Sequence, residues 1–493
     1  MFHGYTISER TTMQLIKRRD FMKQSAAVTA GLMTASVPSR ILGANEDIRV
    51  GVIGVGLNGS NLAERISRIR GTRLVAMADP DPAYQMQSLK DKLAGADNPV
   101  HVETMTDFRR LLDRKDIDAV IIASCNHWHV LHSIYALQAG KHVYVEKPVS
   151  HNVWEGRQLL NLVNKTDLVV ETGVHHRSRE CWPQIREFLK EGKLGRVLVS
   201  RGLCYRLRDG IGKLDTPRKP PSTCDYDLWL GPAADEPLMR PQFHYDWHWV
   251  WNTGNGDIGN QGIHQVDISR WLIDEYRYPE HIFSIGGRLG VDDAAETPNT
   301  QVIYFDYKPI PLIFEVRNLP VEPGIRAMPV YKNARVGSIL ECEEGFISES
   351  AAYDKNGRRI QQFEDRGGGN HLPNFIEAVR SNRPDKVACP IRDSHLSSAL
   401  CHFGNISHRI GQAASPVKIA EIIQYNPLVA EAWHRCLENL KINKVDVQKD
   451  NVVLGAVLRI DNDAEQITGP FAELGNPLLK RTGRSPWVIP EIT

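Results

Sequence analysis

One stretch limits this chain more than any other. Ile48-Arg49-Val50-Gly51-Val52-Ile53 is an apolar run of the kind buried on both faces of a parallel sheet, and Gly54-Val55-Gly56-Leu57-Asn58-Gly59 follows at once. The spacing G-x-G-x-x-G gives each glycine a task. The first permits a tight turn, the second lets a diphosphate approach the backbone, and the third lets the next helix pack on the strand. That helix, expected from Ser60 to about Arg70, aims its free N-terminal amides and positive dipole end at the phosphates. A second strand, Arg73 to Ala78, ends in Asp79. An acid at this distance from the turn accepts hydrogen bonds from ribose hydroxyls and repels a 2′-phosphate, so the pattern predicts NAD in preference to NADP.

The alternation continues. Helices are expected over 82–93, 107–114, 130–139 and 153–164, and strands over 101–103, 117–124, 142–145 and 168–170. Six strands with helices between them describe a doubly wound parallel sheet. Beyond Thr172 the strands 197–204, 301–305 and 312–317 follow one another with few helices, the mark of a largely antiparallel sheet with helices on one face. The chain is therefore expected to be α/β, with a dinucleotide-binding domain over 46–172 and an α+β domain with an open sheet over 173–411. Residues 215–232, rich in proline and aromatics, read as a surface arm. Residues 412–493 are too apolar for disorder and are expected to wrap the body.

Composition narrows the class. With 493 residues the chain is too long for one ordinary core. A net charge of +1 leaves no electrostatic footprint for nucleic acid or an anionic membrane. The 8 cysteines include no C-x-x-C pair, which argues against a zinc ribbon and for buried free thiols. At the amino end, Lys17-Arg18-Arg19-Asp20-Phe21-Met22-Lys23 precedes a mild apolar stretch, Ala26 to Val37, too short for a membrane span. Residues 1–45 thus resemble a twin-arginine export signal, and the expected location is the periplasm or another exported compartment. Folded export would carry a cofactor out with the protein, so the nucleotide is expected to stay bound.

Ligands of open α/β sheets bind at the carboxyl ends of strands. Ser124 to His129 follow the fourth strand, and Glu146-Lys147-Pro148 follow the fifth. A lysine there can hold a substrate hydroxyl while hydride leaves the carbon. Downstream, His264 sits four residues after Asn260 and three before Asp267, spacings that share a helix face. Asn260 cannot carry the charge that would raise the histidine pKa; Asp267 or Asp257 would have to supply it. A plain core histidine satisfied by Asp267 is the competing reading. Upstream, Tyr245, Trp249 and Trp251 offer faces suited to sugar rings, with core packing as the alternative. His244 and His248 have helical metal-ligand spacing without a third ligand, so no metal is expected.

The glycine turn, Glu146-Lys147-Pro148, Gly262-Ile263-His264-Gln265-Val266-Asp267 and His371-x-x-x-Phe375 together resemble the Gfo/Idh/MocA oxidoreductases over roughly residues 47–411. The resemblance implies an N-terminal Rossmann domain, a C-terminal sheet that forms a subunit interface in a dimer or tetramer, and a sugar or cyclitol substrate. It places catalysis on Lys147 with His264, at the positions flanked by Asn260 and Asp267. The expected cofactor contacts are Gly54, Gly56, Leu57, Asn58, Gly59 and Asp79 at the turn, with Ser124, Asn126, His129, Glu146 and Lys147 at later strand ends. His175 stands where relatives carry an amide near the nicotinamide, and His176 and Arg177 are expected to reach substrate. The chemistry so implied is oxidation of a sugar or cyclitol hydroxyl with bound NAD. One alternative is glycoside hydrolysis by transient oxidation and elimination, although hydrolases on this fold lack the E-K-P lysine. Another is non-catalytic, nucleotide-bound sugar binding.

Overall fold

Burial on both faces dictates the first half of the fold. Strands β1 (Ile48–Ile53), β2 (Thr72–Ala78), β3 (Glu103–Met105), β4 (Ala119–Ile122), β5 (His142–Val145) and β6 (Val170–Thr172) form one parallel sheet in the order β3-β2-β1-β4-β5-β6. The computed structural model describes residues 47–493 apart from Asp97 and Asp450. The Arg18-Arg19 segment and the rest of the expected signal lie outside the described residues. The four residues of β4 and of β5 are buried throughout, as covered parallel strands must be. The strand order reverses between β1 and β4, which opens a crevice at their carboxyl ends.

Boundaries depart from expectation where polar residues are buried. β6 was expected to stop at Val170, yet it runs through Glu171 and Thr172 because residues 388–390 pair with them: Thr172 N–H donates to the Cys389 carbonyl at 3.2 Å. The first helix starts at Leu57 rather than Ser60, with Gly56 as an extended N-cap.

The second sheet has 12 strands and is antiparallel except at one pair. β7 (Val197–Tyr205) runs parallel to β10 (Leu312–Arg317) and antiparallel to β11 (Val336–Cys342), while β8 (His281–Gly287) and β9 (Thr300–Phe305) lie beyond β10. One face is covered by the helices Ile263–Trp271 and Ile391–Arg409, whose Val266, Leu400 and Phe403 pack on Ile303 and Phe314. The helix His371–Ser381 instead returns to the first domain, placing Phe375 and Val379 against β1 and β2.

Residues 412–493 add to this body. Gln412–Ala413, Val453–Leu454 and Leu458–Asp461 extend the second sheet beside β8. The helices Pro416–Ile423 and Pro427–Ile442 cover the outer face of β8, β9 and β10, burying Ile285, Val302 and Ile313 under Trp433 and Leu440. The face that the family resemblance would offer to a second copy is, at these strands, occupied by the chain itself. The tail crosses back, so that Trp487, Ile489 and Ile492 enter the core of the first domain and Ile492 N–H donates to Gln158 Oε1 at 2.7 Å. All 8 cysteines are unpaired, and no described helix is long and apolar enough to cross a membrane.

Candidate active site

The crevice between β1 and β4 opens into a cavity of about 480 Å³ that continues to the second sheet. The glycine turn forms its inner end. Gly54 has φ +84°, and a Cβ there would lie 2.6 Å from the Ala123 and Ser124 backbone, so only glycine fits. At Gly59 a Cβ would lie 2.9 Å from the Gly54 carbonyl carbon and inside the contact radius of its oxygen. At Gly56 the space is open, with Tyr84 the nearest neighbour at 3.9 Å. No side chain caps the helix Leu57–Ile66, so its first amides are left for a ligand. This geometry fits a dinucleotide diphosphate. Asp79 Oδ2 accepts the Val55 amide at 2.6 Å and Oδ1 the Asp81 amide at 2.8 Å, which locks the acid beside the turn. Burial raises its pKa to about 6 despite those two amides.

An arm and a strap close over this end. Asp225 N–H donates to the Pro80 carbonyl (2.8 Å), Thr223 Oγ1 donates to Asp81 Oδ1 (2.7 Å), and His244 Nε2 contacts Asp81 Oδ2 at 2.8 Å while its ring stacks on Tyr84 at 3.7 Å. From the tail, Arg481 donates to the His127 carbonyl (2.6 Å) and Arg484 to Asp227 (2.6 Å).

Lys147 occupies the middle of the cavity. Its Nζ donates to the Asn260 carbonyl at 2.6 Å and contacts Asn260 Oδ1 at 3.3 Å. Asn260 belongs to a π-turn, Ile258–Gly262, that leads into the helix carrying His264. Such turns shift the carbonyl ladder and recur at functional sites. Burial lowers the Lys147 pKa, Arg208 and Arg206 lower it further, and Glu146 opposes them. Glu146 itself is folded beneath Gly173, where a Cβ would lie 2.7 Å from its carboxyl, and it accepts the Lys147 amide at 3.2 Å.

His264 lies 4.5 Å from His175 and 4.6 Å from His176, ring centre to ring centre, and stacks on the latter. Its Nδ1 is buried with no hydrogen-bond partner among the described residues. Burial and the neighbouring histidines hold its pKa well below the ordinary range, and burial takes His175 down to about 4 and His176 to about 3. The cluster is neutral, the His264 ring lines the cavity, and a buried ring nitrogen without a partner calls for an explanation such as a bound ligand.

The structure brings together most of the residues the sequence singled out. Gly54, Gly56, Leu57, Asn58 and Asp79 line the cavity at one end, and Ser124, Asn126, His129 and Glu146 line its wall. Lys147, His175, Asn260, His264 and Tyr245 line the rest, and Gly59 packs beneath the turn. Others are corrected. Asp267 does not charge His264: it is buried against Arg177, with Nε to Oδ2 at 2.5 Å and Nη2 to Oδ1 at 2.9 Å, and it accepts Ser397 Oγ at 2.7 Å. Arg177 therefore faces Asp267 and not the cavity, and His176 is stacked behind His264. Asp257 is likewise held by Arg208 at 2.9 Å. Trp249 turns into the core beneath Arg208, and Trp251 lies under Arg409, because the short turn Asp246–Trp249 sends Trp247 and His248 to the cavity instead. The sequence reading missed Arg206 and Arg208. Their alternation with Leu207 just past the end of β7 was the available signal.

Fold and cavity define a dinucleotide-binding protein of two domains, with a half-buried lysine between the glycine turn and a helix of the second domain. The chain belongs to the Gfo/Idh/MocA family. Residues 48–174 match its "Oxidoreductase family, NAD-binding Rossmann fold" and residues 185–307 its "Oxidoreductase family, C-terminal alpha/beta domain", together half of the chain. It is 30% identical over 209 residues to the alpha-N-acetylgalactosaminidase of Shewanella oneidensis, covering 38% of this chain and 45% of that protein. It is 31% identical over 165 residues to a glycosyl hydrolase family 109 protein of Solibacter usitatus, covering 31% and 38%. The chain matches less than half the length of these curated relatives. In fold it is similar to the WlbA dehydrogenase of Bordetella pertussis, solved with NADH and UDP-GlcNAcA, at 18% identity and a TM-score of 0.51 over 72% of this chain and 94% of that one.

Proposed function

We propose that the protein is an NAD-dependent oxidoreductase that oxidises a hydroxyl of a sugar or cyclitol, exported with its nucleotide already bound. The observation that carries this reading is Lys147: a half-buried amine with a depressed pKa, tethered to Asn260 and set between the glycine turn and His264. When bound, the nicotinamide supplies an acceptor for hydride. Lys147 in its neutral form takes the proton of the substrate hydroxyl as the carbon loses hydride, and His264, neutral with Nδ1 free, holds the same oxygen or its neighbour. Asn260 fixes the lysine rather than charging the histidine. Asp79 favours NAD over NADP through ribose contacts and repulsion of a 2′-phosphate. The arm and tail over the adenosine end support slow nucleotide exchange, in keeping with export through the Arg18-Arg19 signal. Purified mature protein should release about one NAD per chain on denaturation. Lys147→Met should keep that nucleotide and lose about a hundredfold to ten-thousandfold in its reduction by the true substrate. Undiminished reduction in this variant would refute the assignment. Cell fractionation with Arg18→Lys/Arg19→Lys tests export.

A second reading, cleavage of a glycoside by transient oxidation and elimination, is favoured by the similarity to family 109 hydrolases. The two carboxylates that line the cavity, Asp79 and Glu146, are spent on the turn and on the Lys147 amide. Direct hydrolysis needs a free carboxylic acid and a free carboxylate flanking one bond, so any hydrolysis here runs through oxidation and return of the hydride. Release of aglycone from an aryl glycoside without net NADH would select this reading.

A further inference from the structure

Two guanidiniums stand beside Lys147, and proton removal from a hydroxyl uses neither. β7 ends at Tyr205, yet the chain stays extended: Arg206 N–H donates to the Arg317 carbonyl (3.0 Å) and Arg208 N–H to the Asn318 carbonyl (3.3 Å). Residues two apart on an extended segment face the same way. Both side chains accordingly reach the cavity wall that carries Lys147, Gln261 and Tyr245.

Their electrostatic situations differ. Arg208 is neutralised and aimed, with Asp257 Oδ1 at 2.9 Å from Nη2 and the Tyr245 hydroxyl at 3.0 Å from Nη1. Arg206 has only a neutral partner, Gln261 Oε1 at 2.6 Å, and forms no ion pair among the described residues. The acids of the cavity are committed elsewhere, Asp79 to the Val55 amide and Glu146 beneath Gly173. A wall with an unpaired guanidinium, a second guanidinium held behind it and an amine, but no free carboxylate, attracts an anion. The diphosphate of a dinucleotide already has the uncapped amides of the helix Leu57–Ile66.

We propose that Arg206, backed by Arg208, binds an anionic group of the substrate, so that the molecule handled here is a sugar acid or a sugar phosphate and not a neutral sugar. The inference rests on the reading of this cavity as a sugar site. A guanidinium takes a carboxylate or a phosphate through two parallel hydrogen bonds, which fixes the ring as well as holding it. Arg206 is then a specificity residue, while Lys147 remains the catalytic one.

Calorimetric titration of the nucleotide-bound protein with glucuronate, glucose 6-phosphate and glucose tests this. One of the two charged sugars should bind at least about tenfold more tightly than glucose, and the preferred one identifies carboxylate or phosphate as the group. Arg206→Gln should abolish the preference of the charged sugar over glucose, and Arg206→Lys should restore part of it. Arg206 is exposed, so these variants keep the fold, which a melting curve checks. Equal binding of all three, no binding of any, or a preference that survives in Arg206→Gln would overturn the proposal. Release of the nucleotide by Arg206→Gln would also overturn it, by assigning the guanidinium to the cofactor. Because binding is read directly, the result stands whether or not hydride moves.

Discussion

Gly56→Ala and Gly59→Ala differ by one methyl group each, and the structure sends their effects in opposite directions. At Gly56 the backbone has φ −74°, a value any residue adopts, and the added Cβ meets nothing closer than Tyr84 at 3.9 Å. The fold accepts this alanine, and the restricted unfolded chain makes the change neutral or stabilising by under about 1 kcal/mol. The same methyl stands where a diphosphate must lie against the turn. Displacing the phosphate breaks one charge-assisted bond to a helix amide, worth about 1.5–3 kcal/mol, so NAD affinity should fall about ten- to hundredfold. At Gly59 the methyl collides with the Gly54 carbonyl, and turn and helix must part. Overpacking of this kind costs about 1–3 kcal/mol of stability. Thermal unfolding of nucleotide-free protein and calorimetric titration with NAD separate the two outcomes. Gly56→Ala that binds NAD like the wild type would refute the placement of the diphosphate. Gly56→Ala that melts well below it would refute the claim of open space.

Two further outcomes follow from the charges. The folded pKa of Asp79, raised to about 6, exceeds its unfolded value of 3.8; the nucleotide-free fold thus holds an extra proton between these values and loses stability as pH rises through that window. Ribose hydroxyls need the ionised acid, so the Kd for NAD should rise by up to about tenfold per pH unit below 6, and Asp79→Asn should remove that slope; a slope that persists in Asp79→Asn would assign it to another group. Arg177→Met strands the buried Asp267 carboxylate with only Ser397 and a 3.5 Å contact to Arg270, and should cost about 3 kcal/mol in denaturant unfolding while sparing nucleotide affinity; loss of substrate binding without loss of stability would return Arg177 to the site.

What was legible in the sequence is what chemistry ties to local spacing. A turn that needs a positive φ and a close approach writes itself as Gly54, Gly56 and Gly59, and the acid locked beside that turn, Asp79, writes itself at the end of the next strand. Lys147 was legible because strand ends in a doubly wound sheet converge on one crevice. The rest depends on who faces whom across long sequence distances, which spacing does not encode. Asp267 lies three residues from His264, so the sequence pairs them on one helix; the fold gives the acid to Arg177, ninety positions away, through two hydrogen bonds between buried groups. The same exchange explains Asn260. Read along the helix it is a defective acid, unable to charge His264. Read across the cavity it is the group that holds Lys147, and a neutral partner is what an amine needs if it is to give up its proton, since a carboxylate at that distance would raise its pKa instead. The histidine cluster makes the same demand from the other side: burial lowers the pKa of His175, His176 and His264, which makes them weak proton acceptors, so the proposed base is Lys147 and the proposed counter-charge for an anionic substrate is Arg206.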